Sequence, residues 1–283
     1  MKSVKLNDGV MIPAVGFGTF RIPADGSTYN AVREALAVGY RHIDTAMCYY
    51  NEEEVGAAVK DSGIPRGEVF ITSKLWITHF GYDRATLGIE RSLKKLGTDY
   101  IDLYLLHQPY GDLAGAWRAL EEAKAAGKIR SIGVSNMTVP IWERIVPQFS
   151  SLPSINQIEC HPFAQQKAIR AHLAPKNVAI ECWGPLGQGK PALLTDPTIC
   201  EIARSHNKDV GQVILRFELQ EGMIVLPKSV RPERIRSNLE LFDFSLSEEE
   251  MARVRALDKD APMRDPDTPG IKEYLLEKYP IND

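Results

Sequence analysis

The sequence predicts an α/β fold: a closed barrel of eight parallel strands alternating with helices, preceded by a β-hairpin and followed by extra C-terminal helices. Three features of the chain point to it. Eight short apolar runs recur along its length: "AVGFGT", "YRHIDT", "VFITSKL", "IDLYLLH", "SIGVSN", "SINQIEC", "VAIECWG" and "GMIVLPKS". These runs are mostly continuously apolar, as expected of parallel strands covered on both faces by helices. Helical segments follow them, several closed by a glycine just past the end (Gly39, Gly63, Gly97, Gly127), which relieves the strain of a left-handed C′ residue. Eight such units within 283 residues favour the closed (β/α)8 form, the TIM barrel, over an open sheet, with residues 1–283 as a single domain.

The elements follow in order. "VKLNDGVMIPAVGFGTF" alternates around Asp8-Gly9, a dipeptide suited to a tight hairpin turn because both positions tolerate positive φ. The expected helices are "STYNAVREALAV", "NEEEVGAAVKD", "DRATLGIERSLKKL", "LAGAWRALEEAKAA", "VPIWERIVPQF", "QKAIRAHLA", "DPTICEIARSHN" and "RPERIRSNLELF". Asn51 with Glu54, and Ser247 with Glu250, have the spacing of capping boxes, so the glutamates after Tyr49 are expected to serve a helix N-terminus rather than chemistry. "LSEEEMARVRAL" and "IKEYLLEKY" read as helices outside the repeat.

Composition removes several function classes. Apolar residues make up 44% and charged residues 25%, the balance of an ordinary globule. Lys and Arg total 34 against 37 Asp and Glu, so no basic footprint for a nucleic acid is expected. No segment reads as a membrane span or a secretory signal, and Cys48, Cys160, Cys182 and Cys200 lack paired spacing. The expected setting is cytoplasmic, with reduced thiols and no membrane partner.

In such a barrel, chemistry gathers where strands lead into the βα loops. Asp44 ends the second strand, Lys74 the third and His107 the fourth, and Tyr49 lies in the loop after Asp44. Singly, each has an ordinary explanation as a cap, a solvated charge or a structural hydrogen bond. Together they suit proton transfer. A phenol titrates near 10, and a nearby ammonium favours its anion, which is expected to pull that value toward neutrality. Asp44 would keep Lys74 charged, and His107 would orient a carbonyl oxygen or relay a proton.

"GYRHIDTAMCYYNEEEVG" and "IVLPKSVRPERIRSN" resemble two signatures of the aldo-keto reductase superfamily, and the resemblance runs from the first hairpin to the last helix. "ECWGPLGQGK" and "NQIECHP" are similar to bacterial reductases of the 2,5-diketo-D-gluconate reductase type. The resemblance implies an NADPH-dependent reductase of aldehydes and ketones in which Tyr49 is the general acid, Lys74 tunes it, Asp44 supports Lys74 and His107 orients the substrate carbonyl. It implies a 2′-phosphate site in which Lys228 and Arg234 contact the phosphate and Ser229 adds its hydroxyl or N–H, with Val230 and Arg231 as further cofactor contacts; the strand exit and helix start there also favour anions. Asn238 would meet the adenine, although this chain has Ser237 where many relatives have Glu. Ser135, Asn136 and Gln157 would bind the nicotinamide carboxamide, and Trp183 would stack on its ring. Gly184, Leu186, Gln188 and Gly189 would follow the pyrophosphate, with Thr19 nearby. NADPH is the expected cofactor, with NADH as a secondary one.

A Rossmann site would need Gly-x-Gly-x-x-Gly between a first strand and its helix, and "GFGTF" lacks the third glycine. Phe20, Trp76 and Gln108, together with His107, are expected to line the substrate mouth. Gln108 stands where many relatives have Trp, which favours small polar carbonyl compounds such as dicarbonyls, keto sugars or keto acids. Short loops at "QPYGDLAG" and "KDAPMRDPDTPG" point to an open cleft. No metal is expected, since Glu159 with His161 is the nearest candidate pair and also fits a structural role. The protein is expected to be a monomer. The alternative from another class is a non-catalytic NADPH-binding sensor or structural subunit, which turnover of NADPH with a reactive aldehyde would separate from an enzyme.

Overall fold

The structure, a computed structural model, describes residues 2–281. Eight strands form one parallel sheet: β3 (Phe17–Gly18), β4 (His42–Asp44), β5 (Phe70–Leu75), β6 (Ile101–Leu106), β7 (Ile129–Ser135), β8 (Ile155–Glu159), β9 (Ala179–Trp183) and β10 (Ile224–Leu226). Neighbours in sequence are neighbours in the sheet throughout. The first and last strands meet through a parallel bridge between Val15 and Val225 and through Gly18 N–H to the Pro227 carbonyl at 3.0 Å, so the sheet closes on itself. This is the expected (β/α)8 TIM barrel.

A two-stranded hairpin, β1 (Ser3–Lys5) and β2 (Met11–Pro13), precedes the barrel. Its Leu6 and Ile12 pack with Phe70, Leu103, Ile155 and Ile224, residues at or near the starts of barrel strands. The hairpin therefore plugs the N-terminal end and leaves the opposite end for chemistry. Its turn differs from expectation. Gly9 alone takes positive φ, while the Asp8 carboxylate accepts the Val10 N–H and binds Lys124 and Ser131.

The helices of the repeat are α1 (Ser27–Val38), α2 (Glu52–Asp61), α3 (Tyr82–Leu96), α4 (Leu113–Ala125), α5 (Val139–Ile145), α6 (Lys167–Leu173), the short α7 (Pro191–Leu194), α8 (Pro197–Ser205), α9 (Val210–Gln220) and α10 (Pro232–Ser237). Outside it lie α11 (Glu248–Arg255) and α12 (Ile271–Lys278), as expected. Among the described residues, no helix is long and apolar enough to cross a membrane.

Two local expectations are corrected. Asn51 does not cap α2; its amide is buried and holds the Thr19 and Ile22 carbonyls, while Thr45 Oγ1 donates to its oxygen. Glu54 instead accepts the N–H groups of Gly26 and Tyr29 at the start of α1, so the carboxylate caps a neighbouring helix. The other difference is α9, which the strand-helix pattern leaves out. Val213, Ile214, Leu215, Phe217 and Leu219 are all buried, and a helix covered on most sides shows no clean polar face. Its start was marked all the same, by an Asp209–Gln212 capping box. The Ser247–Glu250 box forms as expected.

Candidate active site

The four strand-exit groups converge at the open end of the barrel. β4 delivers Asp44 on its last residue, β5 delivers Lys74, and the chain leaving β6 delivers His107. A 3₁₀ turn over Met47–Tyr49 brings Tyr49 back over the strand ends. The Lys74 side chain is fully buried, and removing an ammonium from water costs several kcal/mol unless each of its hydrogens finds a partner. An ammonium has three donors. They go to Asp44 Oδ1 at 2.7 Å, the Thr45 carbonyl at 2.8 Å and Tyr49 Oη at 3.2 Å. Thr19 secures the same loop by donating from its hydroxyl and its N–H to the Asp44 carbonyl.

The phenol is not pulled toward neutrality. Burial pushes the Tyr49 hydroxyl well above its ordinary value, and the Asp44 anion adds to the rise. Asp44 sits so close to Lys74 that the ring meets a nearly neutral pair rather than a bare cation. The phenol therefore keeps its proton at rest, as a proton donor requires. Since Oη accepts from Lys74, its own hydrogen remains for another acceptor.

Burial holds the His107 imidazole well below its ordinary range, with Lys74 and Arg264 pushing the same way, so the ring is neutral. Its Nδ1 lies 3.5 Å from Cys48 Sγ. Burial pushes the Cys48 thiol up, and a thiol that keeps its proton can donate to Nδ1, leaving the ring proton on Nε2. The Tyr49 and His107 rings meet edge to face, with centroids 5.6 Å apart. A neutral phenol and a neutral imidazole side by side can both donate to one carbonyl oxygen.

Phe20 packs on Tyr49, and Trp76 packs on His107; Gln108, the next residue in the chain after His107, is buried. One wall was missed in the sequence. Tyr279, near the C-terminus, meets Trp76 edge to face and Phe20 at a tilt, and its carbonyl accepts the Trp76 indole N–H at 3.1 Å. The Pro280 carbonyl accepts from Tyr50 Oη, and the Pro266 carbonyl from Tyr110 Oη. The two loops expected to leave an open cleft are thus joined, and the C-terminal segment walls the mouth.

The other predicted residues lie along a path from this centre to the exit of β10. Asn136, at positive φ, donates to the His107 carbonyl and to Ser135 Oγ, and its Oδ1 accepts the Trp183 indole N–H at 2.8 Å. Ser135 Oγ donates to the Gln157 carbonyl, and Gln157 Nε2 donates to Asp44 Oδ2. After Trp183, Gly184, Gln188 and Gly189 all take positive φ, giving an irregular loop around Leu186 that lets a ligand approach the backbone. Arg21 donates to Gln188 Oε1 across it.

Beyond β10, Lys228, Val230, Arg231 and Arg234 are exposed, and among the described residues none of the three cations sits in an ion pair. Ser229 is buried and accepts the Arg231 N–H on its hydroxyl; Asn238 is also buried. Three uncompensated cations around a strand exit suit a phosphate. The Glu159–His161 pair serves the fold: the two contact each other at 3.0 Å, and the carboxylate accepts the Met263 N–H on both oxygens.

A model of the aldo/keto reductase family matches residues 14–259. The chain is 44% identical over 259 residues to glyoxal reductase of Bacillus subtilis, covering 91% of this chain and 93% of that protein. It is 43% identical over 258 residues to methylglyoxal reductase DkgA of Yersinia pestis, covering 90% and 92%. The crystal structure of an aldo/keto reductase from Brucella melitensis superposes with a TM-score of 0.87 at 46% identity, covering 91% of this chain and 99% of that one.

Replacing Asp44 with Ala should lower stability by about 3–5 kcal/mol, because the Lys74 ammonium is left without its anion. Urea unfolding would show this as a lower midpoint, and the uncharged pair Asp44→Asn with Lys74→Met should regain most of the loss.

Proposed function

The chain belongs to the aldo/keto reductase family, and from that premise we propose that it is an NADPH-dependent oxidoreductase reducing small polar aldehydes and ketones to alcohols, with Tyr49 as the proton donor. One observation supports this most: the fully buried Lys74 donates to Tyr49 Oη, which leaves the phenol's hydrogen for a substrate.

A bound nicotinamide cofactor supplies the hydride, which no side chain can provide. The substrate's carbonyl oxygen accepts hydrogen bonds from Tyr49 Oη and from His107 Nε2, which polarises the carbonyl and fixes its direction. As the carbonyl carbon is reduced, its oxygen takes the Tyr49 proton. The phenolate left behind is stabilised by the Lys74 ammonium 3.2 Å away, so the cation acts on the charge that develops rather than on the resting phenol. Asp44 keeps that ammonium charged and aimed. Trp76, Phe20 and Tyr279 shield the step from water.

Lys228, Arg231 and Arg234 would hold the 2′-phosphate, with Ser229 and Val230 at its edge and Asn238 toward the adenine. The glycine-rich loop would follow the pyrophosphate, and Trp183, held by Asn136, would back the nicotinamide. Ser135, Asn136 and Gln157 would seat its carboxamide. NADH would serve as a weaker cofactor. The substrate reading rests on Gln108, the buried amide that follows His107 and would line the mouth, and accords with the glyoxal and methylglyoxal reductases among the relatives.

The purified protein should oxidise NADPH steadily with methylglyoxal. Tyr49→Phe should lower kcat by about 10²–10⁴-fold while leaving the NADPH dissociation constant nearly unchanged. Equal turnover in variant and parent would contradict the role of Tyr49. For the cofactor, Lys228→Ala and Arg234→Ala should each raise the KM for NADPH about tenfold, with the KM for NADH nearly unchanged. Parallel changes for both dinucleotides would place the phosphate elsewhere.

A further inference from the structure

Glu181 lies in β9, two residues before Trp183, and its side chain is completely buried inside the barrel. No step described above uses it. Its Oε2 lies 2.6 Å from Gln157 Nε2, and that nitrogen is also 2.9 Å from Asp44 Oδ2. Among the described residues its Oε1 has no hydrogen-bond partner. The nearest cationic candidate, His42 Nε2, is 3.7 Å away and already engages Thr72 Oγ1 at 2.9 Å.

A primary amide carries both its hydrogens on nitrogen. The Asp44 carboxylate, paired with Lys74, can only accept, so it requires nitrogen at that end of Gln157, and the Glu181 carboxyl oxygen Oε2 accepts the second hydrogen. With both hydrogens directed into the barrel, Oε1 is the end left for the other side, where it can accept but not donate. Asp44 alone would occupy one hydrogen. Glu181 occupies the second.

We propose that Glu181 is a positioning residue: acting through Gln157, it fixes which end of that amide is turned to the nicotinamide carboxamide. The inference rests on the cofactor reading above.

The charge state of Glu181 provides a readout that a merely structural role would not move. Burial, then the Asp44 anion, pushes its carboxyl up to about 8, against the pull of the Gln157 hydrogen bond and of Lys74. The groups facing it are His42 and Asp44 from β4, Lys74 from β5 and Gln157 from β8; its register partner on β10 is the apolar Ile224. His42 offers no counter-charge, since burial holds its ring down to about 3. Below about 8 Glu181 is therefore neutral. As pH rises through that value, it adds a second anion beside Asp44. That anion raises the cost of the Tyr49 phenolate, so carbonyl reduction should slow.

The test compares the full-length parent with Glu181→Gln and Glu181→Leu, measuring NADPH affinity by quenching of tryptophan fluorescence, and kcat and KM with methylglyoxal. Glu181→Leu should weaken NADPH binding about tenfold, the effect of one lost hydrogen bond, while the KM for methylglyoxal changes by less than about twofold. Glu181→Gln should restore the affinity, because its amide oxygen still accepts from Gln157, and its kcat should lose the decline near pH 8 seen in the parent. The inference is overturned if Glu181→Leu binds NADPH as tightly as the parent, or if Glu181→Gln binds it as weakly as Glu181→Leu. Should the Leu variant fail to fold, Glu181→Met takes its place in the same affinity measurement. A parent protein that bound neither NADPH nor NADH would instead overturn the cofactor reading, and this inference with it.

Discussion

A single buried ammonium organises the open end of this barrel. Lys74 has no water to solvate it, so its three hydrogens must each meet a protein oxygen, and the positions of Asp44, Thr45 and Tyr49 follow from that need. The exit of β4 and one tight turn supply the three oxygens, and the adjacent strand β5 supplies the lysine. The closed sheet keeps them in register, because Asp44 pairs with Thr72 in β5, two residues before Lys74. A looser scaffold would let the lysine reach solvent or lose its proton.

The same burial shapes the chemistry. It keeps the Tyr49 phenol protonated, the His107 ring neutral and the Cys48 thiol intact, so the resting site presents donors rather than charges. In the proposed reaction the phenol would become charged only as a substrate oxygen took its proton, and the ammonium already stands where that charge would form. Farther in, Gln157 ties Asp44 to Glu181, so the polar interior of the barrel is continuous with the site at its rim.

The fold was largely legible because parallel strands buried on both faces leave long apolar runs that stand out between amphipathic helices. α9 escaped because its own burial erased the contrast. Asn51 misled because its spacing to Glu54 matches a local cap, whereas its tertiary contacts to Thr19 and Ile22 depend on how the loops meet. In the site, Asp44, Lys74 and His107 could be found as polar groups at successive strand exits. The assignments of Ser135, Asn136, Gln157 and Trp183 came only from family resemblance, since polar residues at strand ends are common. Tyr279 joins the mouth from a distant part of the chain, which no local pattern announces. Glu181, one letter within "AIECW", shows its inward direction only once the barrel is closed. The direction of the Tyr49 pKa could not be read either, because it depends first on how deeply the folded loop buries the hydroxyl and then on the nearness of Asp44.

Neutron diffraction from crystals of the protein exchanged into heavy water would test the central claim most directly. The account predicts three deuterons on Lys74 Nζ, one of them directed at Tyr49 Oη, and a fourth on the phenol itself pointing away from the lysine. A bare phenolate oxygen, or a lysine carrying two deuterons with the phenol donating to it, would contradict it.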